Sequence, residues 1–231
     1  QDYRGYRLHE IPPNGQGIAA LIMLGILKNI DMSRYPVDSA DSVHAQIEAM
    51  KLAFADVYRN VSDPSTMQVT PAQMLDPDYL AQRAKQIDMK QAKNPKAELP
   101  RGGSETVYLT AADASGMMVS MIQSNFMGFG SGIVVPGTGI ALQNRGYGFN
   151  VKPGHPNCVG PRKRPFQTII PGFLTRGGQP VMSFGVMGAV MQAQGHAQMV
   201  VRVVDYDQNP QAASDAPRWF VDLEMNVSFE K

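Results

Sequence analysis

The most informative stretch for the architecture is "TVYLTAADASGMMVSMIQS" (residues 106–124), which reads as two short strands around a tight turn. β-Branched, aromatic and other apolar side chains flank "DASG" (113–116), whose residues are typical of turns. The pattern predicts an antiparallel hairpin beginning at Thr106. A similar pattern surrounds "RGG" in 167–186 and predicts a second hairpin.

Helices are predicted for most of the chain before Thr106. The segment 15–30 is apolar on most sides, as in a buried helix. The segment 39–61 carries apolar residues at spacings of three or four, which predicts an amphipathic helix. Asp76 followed by Pro77 is typical of a helix start, with an N-cap and a proline at the first helical position.

A polar linker and two further helices complete the outline. The segment 90–105 is rich in lysine and proline and separates the helical part from the hairpins. A helix is predicted over 195–206, and Asn209 before Pro210 begins another. Strands gathered after helices indicate an α+β fold, with helices layered on antiparallel sheet.

Composition narrows the function classes. The formal net charge is +1, which argues against nucleic acid as a partner. Cys158 is the only cysteine, so no intrachain disulfide can form. The apolar run 18–27 is too short to span a bilayer and lacks signal-peptide flanks, and the compartment, periplasm or cytoplasm, stays open. The glycine pattern at 15–20 follows two prolines, which disfavours a dinucleotide site. No metal or organic cofactor is predicted, since no histidines have metal-ligand spacing.

Thr106 has two readings. Threonine is common in strands, so an ordinary structural role is the simpler interpretation. Its hydroxyl becomes a competent nucleophile only beside a base. Cleavage of the preceding peptide bond would provide one, because the freed α-amine titrates near pH ~8.

Two glycine-rich segments, 128–146 and 184–190, also admit two readings. Neither is a phosphate-binding P-loop, since the G-K-[ST] ending is missing. Tight turns account for such glycines in most proteins. Backbone N–H groups left free between a strand and a helix would alternatively point at an anion.

The chain carries six segments that are informative together, at 5–27, 105–124, 128–144, 160–171, 184–189 and 209–219. Together they resemble the γ-glutamyltranspeptidases, and they occur in family order over nearly the whole chain. The resemblance implies an N-terminal nucleophile hydrolase fold, an αββα sandwich, of which this chain is expected to be an incomplete portion. It also implies a precursor that cuts itself between Glu105 and Thr106. Residues 1–105 would then be the end of a large subunit and 106–231 most of a small one.

The resemblance carries catalytic roles to four positions. Thr106 is implied as the nucleophile, with its own amine as base, and Ser124 as the hydroxyl that orients it. Gly188 and Ala189 are implied as the oxyanion hole through their backbone N–H groups, for which alanine is tolerable.

The acyl-binding positions depart from the family pattern. The resemblance places substrate contacts at Asn125, Asn144, Arg145, Gln167 and Thr168. The family's carboxylate for a γ-glutamyl α-amino group is replaced by Gly148, and the segment 150–160 is short, as in the subgroup without a lid loop. Arg145 is interpreted either as a bidentate anchor for a substrate carboxylate or as half of a structural ion pair.

The resemblance implies transfer or hydrolysis of a γ-glutamyl or related acyl amide, with water or an amino acid as acceptor. The missing acid admits glutaryl substrates, as in a cephalosporin-acylase-like amidase. An uncleaved, inactive fragment is the alternative from another class. The expected partners are the remaining parts of its own precursor, and homo-oligomerisation is left open.

Overall fold

The computed structural model describes residues 1–95 and 105–231, with the backbone alone at Glu105. The predicted linker 90–105 therefore lies mostly outside the described residues. The helices are α1 (Gly17–Leu27), α2 (Ala40–Asn60), α3 (Pro71–Met74), α4 (Pro77–Ala84), α5 (Met191–Val204) and α6 (Pro210–Asp215). The strands are β1 (Asp2–Tyr3), β2 (Tyr6–His9), β3 (Glu105–Ala112), β4 (Met118–Phe126), β5 (Gly172–Arg176), β6 (Gln179–Phe184), β7 (Trp219–Val221) and β8 (Val227–Phe229).

Helix α1 forms the centre of the core. Every residue of α1 except Leu21 is buried, which its apolar composition requires. It packs against α2, α4 and α5. A Cβ added to Gly25 would lie 2.4 Å from Leu80 Cδ1, so glycine here lets α4 approach closely. The buried helix predicted at 15–30 is thereby confirmed.

The predicted helix starts are confirmed by their caps. The Ser39 side chain accepts the Ser42 N–H at 3.2 Å at the start of α2. The Asp76 carboxylate accepts the Tyr79 N–H at 2.9 Å before α4. Asn209 does the same for Ala212 at 2.9 Å before α6. These side chains satisfy backbone donors that a helix start leaves unpaired.

Both predicted hairpins form, and one joins the N-terminal strands. The main sheet is antiparallel, in the order β1-β2-β5-β6, with Leu8 opposite Leu174. Strands β3 and β4 pair separately, as do β7 and β8. Helices packed beside antiparallel strands confirm the α+β class.

The β3–β4 hairpin contacts β5 and β6 through its alternating inner residues. The hydroxyls of Tyr108 and Ser120 lie 2.7 Å apart, and Ser120 donates to the Gly172 carbonyl at 2.9 Å. The Thr110 hydroxyl is hydrogen-bonded to that of Ser183. The side of the hairpin that carries these residues is thereby held on the main sheet.

The opposite side of the hairpin is apolar and exposed to solvent. It carries Val107 and Leu109 on β3, which are 65% and 47% exposed. Val119 and Met121 face outward from β4, at 50% and 44% exposed. The described part of the chain leaves this apolar strip uncovered.

The prediction for α5 was wrong at its start, which lies at Met191 rather than at residue 195. Gly195 reads as a helix-starting residue in the sequence. In the fold it lies inside the helix, where a Cβ would approach Val186 Cγ2 to 2.6 Å. Close packing, rather than the start of the helix, therefore explains this glycine.

Within residues 1–95 and 105–231, no helix has the length and apolarity to cross a membrane. In the same residues, no group of three or more His, Cys, Asp or Glu side chains could hold a metal ion.

Gly185 directly follows β6 and accommodates the Tyr108 ring, so substitution there tests how the hairpin is held. A Cβ at Gly185 would lie 2.4 Å from Tyr108 Cδ2, and the hydrogen bond between the Tyr108 and Ser120 hydroxyls holds the ring in place. We expect Gly185→Ala to lower the free energy of unfolding by roughly 1–3 kcal/mol, as overpacking does. Urea denaturation measures this change. Gly146→Ala is the matched control, because nothing lies within 4 Å of the added Cβ. Equal stability of the two variants would contradict the contact.

Candidate active site

A bulge in the hairpin determines the surroundings of Thr106. Glu105 pairs with Phe126 and Val107 pairs with Gln123, so one residue of β3 faces two of β4. Thr106 is therefore opposite Ser124 and Asn125, and all three are half-buried. Bulges of this kind re-aim side chains and are common beside active sites. The predicted nucleophile and the predicted orienting hydroxyl thus lie on adjacent strands.

Ser124 and Phe126 shape the end of β4. The Ser124 hydroxyl accepts the Phe126 N–H at 2.9 Å. Phe126 itself has φ +82°, in the left-handed region that a bulky residue rarely adopts. Such strain persists where the surrounding structure over-determines it, often at functional sites.

Asn144 joins this strand end to the glycine-rich segment. Its backbone N–H donates to the Asn125 carbonyl at 3.2 Å, and its side-chain oxygen accepts the Met127 N–H at 3.1 Å. The structure therefore brings Asn125 and Asn144 together. The Asn144 amide oxygen is engaged in holding the loop, and substrate contact by either residue stays a prediction.

Arg145 is a buried cation without an acidic partner among the described residues. Its side chain packs over the Phe126 ring, with 4.8 Å from Cζ to the ring centroid, and Arg145 is 6% exposed. Nη1 donates to the Thr168 hydroxyl at 2.7 Å. Within residues 1–95 and 105–231, its Nε and Nη2 have no hydrogen-bond partner. Burial lowers the pKa of the guanidinium to about 10.

The environment of Arg145 is unfavourable, because burying a charge without a partner raises the free energy of the folded protein. An arriving carboxylate would supply the counter-charge and accept the two unused donors in a bidentate pair. Of the two sequence interpretations of Arg145, a structural ion pair has no candidate partner in the described part of the chain.

Gly148 cannot carry a side chain in this backbone. A Cβ there would lie 2.7 Å from the Phe166 carbonyl oxygen. Asn157 holds the same region by donating to the Gly148 carbonyl at 2.7 Å and accepting the Phe166 N–H at 3.1 Å. The acid that the family pattern places here is therefore excluded by packing as well as by sequence.

Gln167 and Thr168 are held against the N-terminal loop. The Gln167 N–H donates to the Asn14 carbonyl at 3.0 Å, and its carbonyl accepts the Gln16 N–H at 2.9 Å. The Gln167 side chain accepts the Thr168 N–H at 3.1 Å. Of the two predicted positions, Thr168 contacts Arg145, and Gln167 mainly braces the segment.

Gly188 and Ala189 form a turn between β6 and α5. Their φ angles are +117° and +50°. The Gly188 carbonyl accepts the Met191 N–H at 2.8 Å, and the Ala189 carbonyl accepts the Gln192 N–H at 3.2 Å. These two hydrogen bonds connect the turn to the first residues of α5. Neither N–H of the pair donates to an acceptor in the described part of the chain. Two free donors at the start of a helix can bind a negative charge.

Tyr108 connects the predicted nucleophile, Thr106, to this turn. It lies two residues after Thr106 on β3, and its ring contacts Gly185, three residues before Gly188. Thr106 and the Gly188–Ala189 turn are thus positioned by the same packing contact.

Sequence reasoning missed a set of buried polar residues behind the turn. Gln16 and Gln192 are fully buried, and the Glu10 carboxylate contacts His196 Nδ1 at 2.6 Å. Burial raises the pKa of the Glu10 carboxyl, and the adjacent His196 partly opposes this rise. The available signal was the run of polar residues at alternate positions in an otherwise apolar helix, at Gln192, Gln194, His196 and Gln198.

Comparison with known proteins identifies the family. The family model described as gamma-glutamyltranspeptidase matches residues 1–231. The chain therefore belongs to the gamma-glutamyltranspeptidase family, which confirms the resemblance seen in the sequence.

Three related proteins are similar over almost the whole chain. It is 38% identical over 218 residues to the "Glutathione hydrolase-like YwrD proenzyme" of Bacillus subtilis, covering 94% of this chain and 41% of that protein. It is 35% identical over 218 residues to the "Acylase ACY 1 proenzyme" of a Pseudomonas species, covering 94% and 39%. It superposes on the crystal structure of cephalosporin acylase from Bacillus halodurans with a TM-score of 0.88 at 54% identity, covering 95% of this chain and 39% of that one. The chain thus spans about two fifths of the length of these proteins.

Proposed function

We propose that the full-length protein cleaves amides by acyl transfer, using Thr106 as a nucleophile released by self-cleavage. The observation that carries this proposal is the position of Thr106 at the hairpin bulge, opposite Ser124, in a chain that its family model matches from end to end. The proenzyme names of two relatives support cleavage as part of maturation.

We further propose that the fold is part of an αββα N-terminal nucleophile hydrolase sandwich. Residues 1–105 would end the large subunit, and 106–231 would form most of the small subunit. The two-fifths coverage of the relatives and the uncovered apolar strip on β3 and β4 support this proposal. The remaining parts of the precursor are the partners that would cover the strip.

Self-cleavage would use the Thr106 hydroxyl on the Glu105 carbonyl carbon. The carbon–nitrogen bond breaks as the ester forms, and the nitrogen takes the hydroxyl proton to become the free α-amine of Thr106. Water then hydrolyses the ester, which releases the Glu105 carboxylate and restores the Thr106 hydroxyl. The amine has an ordinary pKa near ~8, so a useful fraction is neutral at pH 7. It can then take the proton of the threonine hydroxyl.

Catalysis would follow through an acyl-enzyme. The Thr106 oxygen attacks the substrate carbonyl, and the N–H groups of Gly188 and Ala189 donate to the oxyanion. The leaving amine departs with the proton held by the α-amine. Water or an amino acid then attacks the ester and releases the acyl group.

The substrate class follows from Arg145 and Gly148. A buried guanidinium with two unused donors favours an acyl group ending in a carboxylate, which both γ-glutamyl and glutaryl groups carry. The excluded side chain at Gly148 removes the counter-charge for an α-amino group. This second observation favours a glutaryl amidase over a γ-glutamyl enzyme. The chain also superposes on a cephalosporin acylase, which agrees with that preference.

The first test is the mass of the mature protein. We expect expression of the full-length precursor to yield a species beginning at Thr106, because the freed amine is the catalytic base. Thr106→Ala should abolish both the cleavage and the amidase activity, and intact mass spectrometry separates the two forms. A precursor that stays whole, or an active Thr106→Ala variant, would sink the proposal and favour the inactive alternative.

A second test concerns the proposed oxyanion donors. Gly188→Ala would place a Cβ 2.9 Å from Met191 Cβ at a φ of +117°, so the turn must shift. We expect kcat to fall by ~10²–10³, the effect of losing one oxyanion donor. Gly178→Ala is the control, since Gly178 also has a positive φ (+79°) but lies in open space. Equal losses of kcat in the two variants would show that strain, rather than the donors, is responsible.

The third test concerns acyl selectivity. Arg145→Met should lower kcat/KM for a glutaryl anilide by roughly 10–100-fold, since a hydrogen bond to a charged group contributes ~1.5–3 kcal/mol. The uncharged pentanoyl anilide should be nearly unaffected. Arg145→Lys keeps the charge but loses the bidentate geometry, so its kcat/KM for the glutaryl anilide should lie between those of the wild type and Arg145→Met. Equal losses on both anilides would contradict carboxylate binding, and a faster γ-glutamyl anilide in the wild type would contradict the glutaryl preference.

A further inference from the structure

Gln16 joins two segments that approach each other only in the folded chain. It is fully buried and directly precedes α1. Its side-chain Nε2 donates to the Thr168 carbonyl at 2.6 Å and to the Ala189 carbonyl at 2.7 Å. One amide group therefore holds both loops at a fixed separation.

The two bridged residues belong to opposite ends of the proposed acyl site. The Thr168 hydroxyl accepts a hydrogen bond from Arg145, the proposed anchor for the acyl carboxylate. Ala189 is one of the two proposed oxyanion donors. The spacing between them limits the distance between the carboxylate and the carbonyl of a bound acyl group.

We propose that Gln16 is a positioning residue that sets this spacing, and thereby the length of the acyl chain that the site accepts. This inference rests on the proposed function and assigns a selectivity role to a residue outside the reacting groups.

Neighbouring contacts make the bridge stiff. The Ala189 carbonyl also accepts the Gln192 N–H at 3.2 Å, and the Gln192 side chain accepts the Ile170 N–H at 3.0 Å. Helix α5 is thus bonded to both bridged segments. A Cβ at Gly17 would lie 2.7 Å from Glu10 Cβ, so the backbone beside Gln16 has no room to move toward Glu10.

Other buried glutamines show what a structural role looks like here. Gln194 and Gln198 each donate to and accept from one residue of β7, Val221 and Trp219 respectively. Each also donates to the carbonyl four residues earlier, that of Val190 and that of Gln194, at the start of or within α5. Both ends of each amide are thereby satisfied. Both acceptors of the Gln16 donor end instead lie in loops distant in sequence, and its Oε1 has no partner in the described part of the chain. Its bonding pattern is that of a spacer between two loops.

The test uses the mature full-length enzyme and three anilides, succinyl, glutaryl and adipyl, which differ by one methylene each. We expect the wild type to prefer one length. Gln16→Met removes the bridge, and the ratio of kcat/KM between the preferred anilide and its neighbours should fall by roughly 10–100-fold, mainly through kcat. Gln198→Met is the matched control, a buried glutamine of the same size that binds β7, and should keep the wild-type ratio.

An unchanged ratio in Gln16→Met, or the same change in Gln198→Met, overturns the inference. If Gln16→Met does not fold, Gln16→Asn is measured, since it keeps an amide whose shorter reach cannot span both carbonyls. A wild-type ratio in folded Gln16→Asn also overturns it. Failure of the underlying function is distinguishable, because then the wild type neither releases a Thr106 terminus nor cleaves any of the three anilides.

Discussion

The close approach of the Tyr108 ring to Gly185 is the constraint on which the site depends. The ring fills the space that any side chain at position 185 would need. This contact brings the strand that begins near Thr106 against the strand that leads to Gly188 and Ala189. The polar pairs of Ser120 with the Gly172 carbonyl and of Thr110 with Ser183 fix the hairpin in register on the main sheet. A rigid scaffold of this kind is what preorganised donors require.

Charge at the proposed acyl end of the site would favour an incoming anion. A buried guanidinium whose pKa is lowered by burial is costly to the free protein. The Phe126 ring and the Thr168 hydroxyl offset part of that cost, because the ring face attracts the cation and the hydroxyl accepts a hydrogen bond from it. The unused donors then favour a ligand that completes the pairing. In the proposed function, binding selectivity would come from the Arg145 cation and the excluded side chain at Gly148 together.

Much of the fold was predictable because local rules agreed with the tertiary structure. Alternating side chains around "DASG" predicted the first hairpin, and the caps at Asp76 and Asn209 were correct because capping is a local interaction. The start of α5 was mispredicted at Gly195, whose absent side chain serves contact with Val186. A one-dimensional pattern cannot distinguish a glycine at the start of a helix from one that packs inside it.

The sequence by itself determined the α+β class and the family, because these depend on periodicity and on ordered motifs. The same motifs carry the proposal that Thr106 is the nucleophile. Only the tertiary structure decided the environment of Arg145, since its ion-pair or substrate role depends on which residues from distant segments surround it. The same holds for Gln16, whose partners Thr168 and Ala189 lie far along the chain. Hydrogen bonds between distant segments leave no periodic signal, and they exist only when the chain has folded.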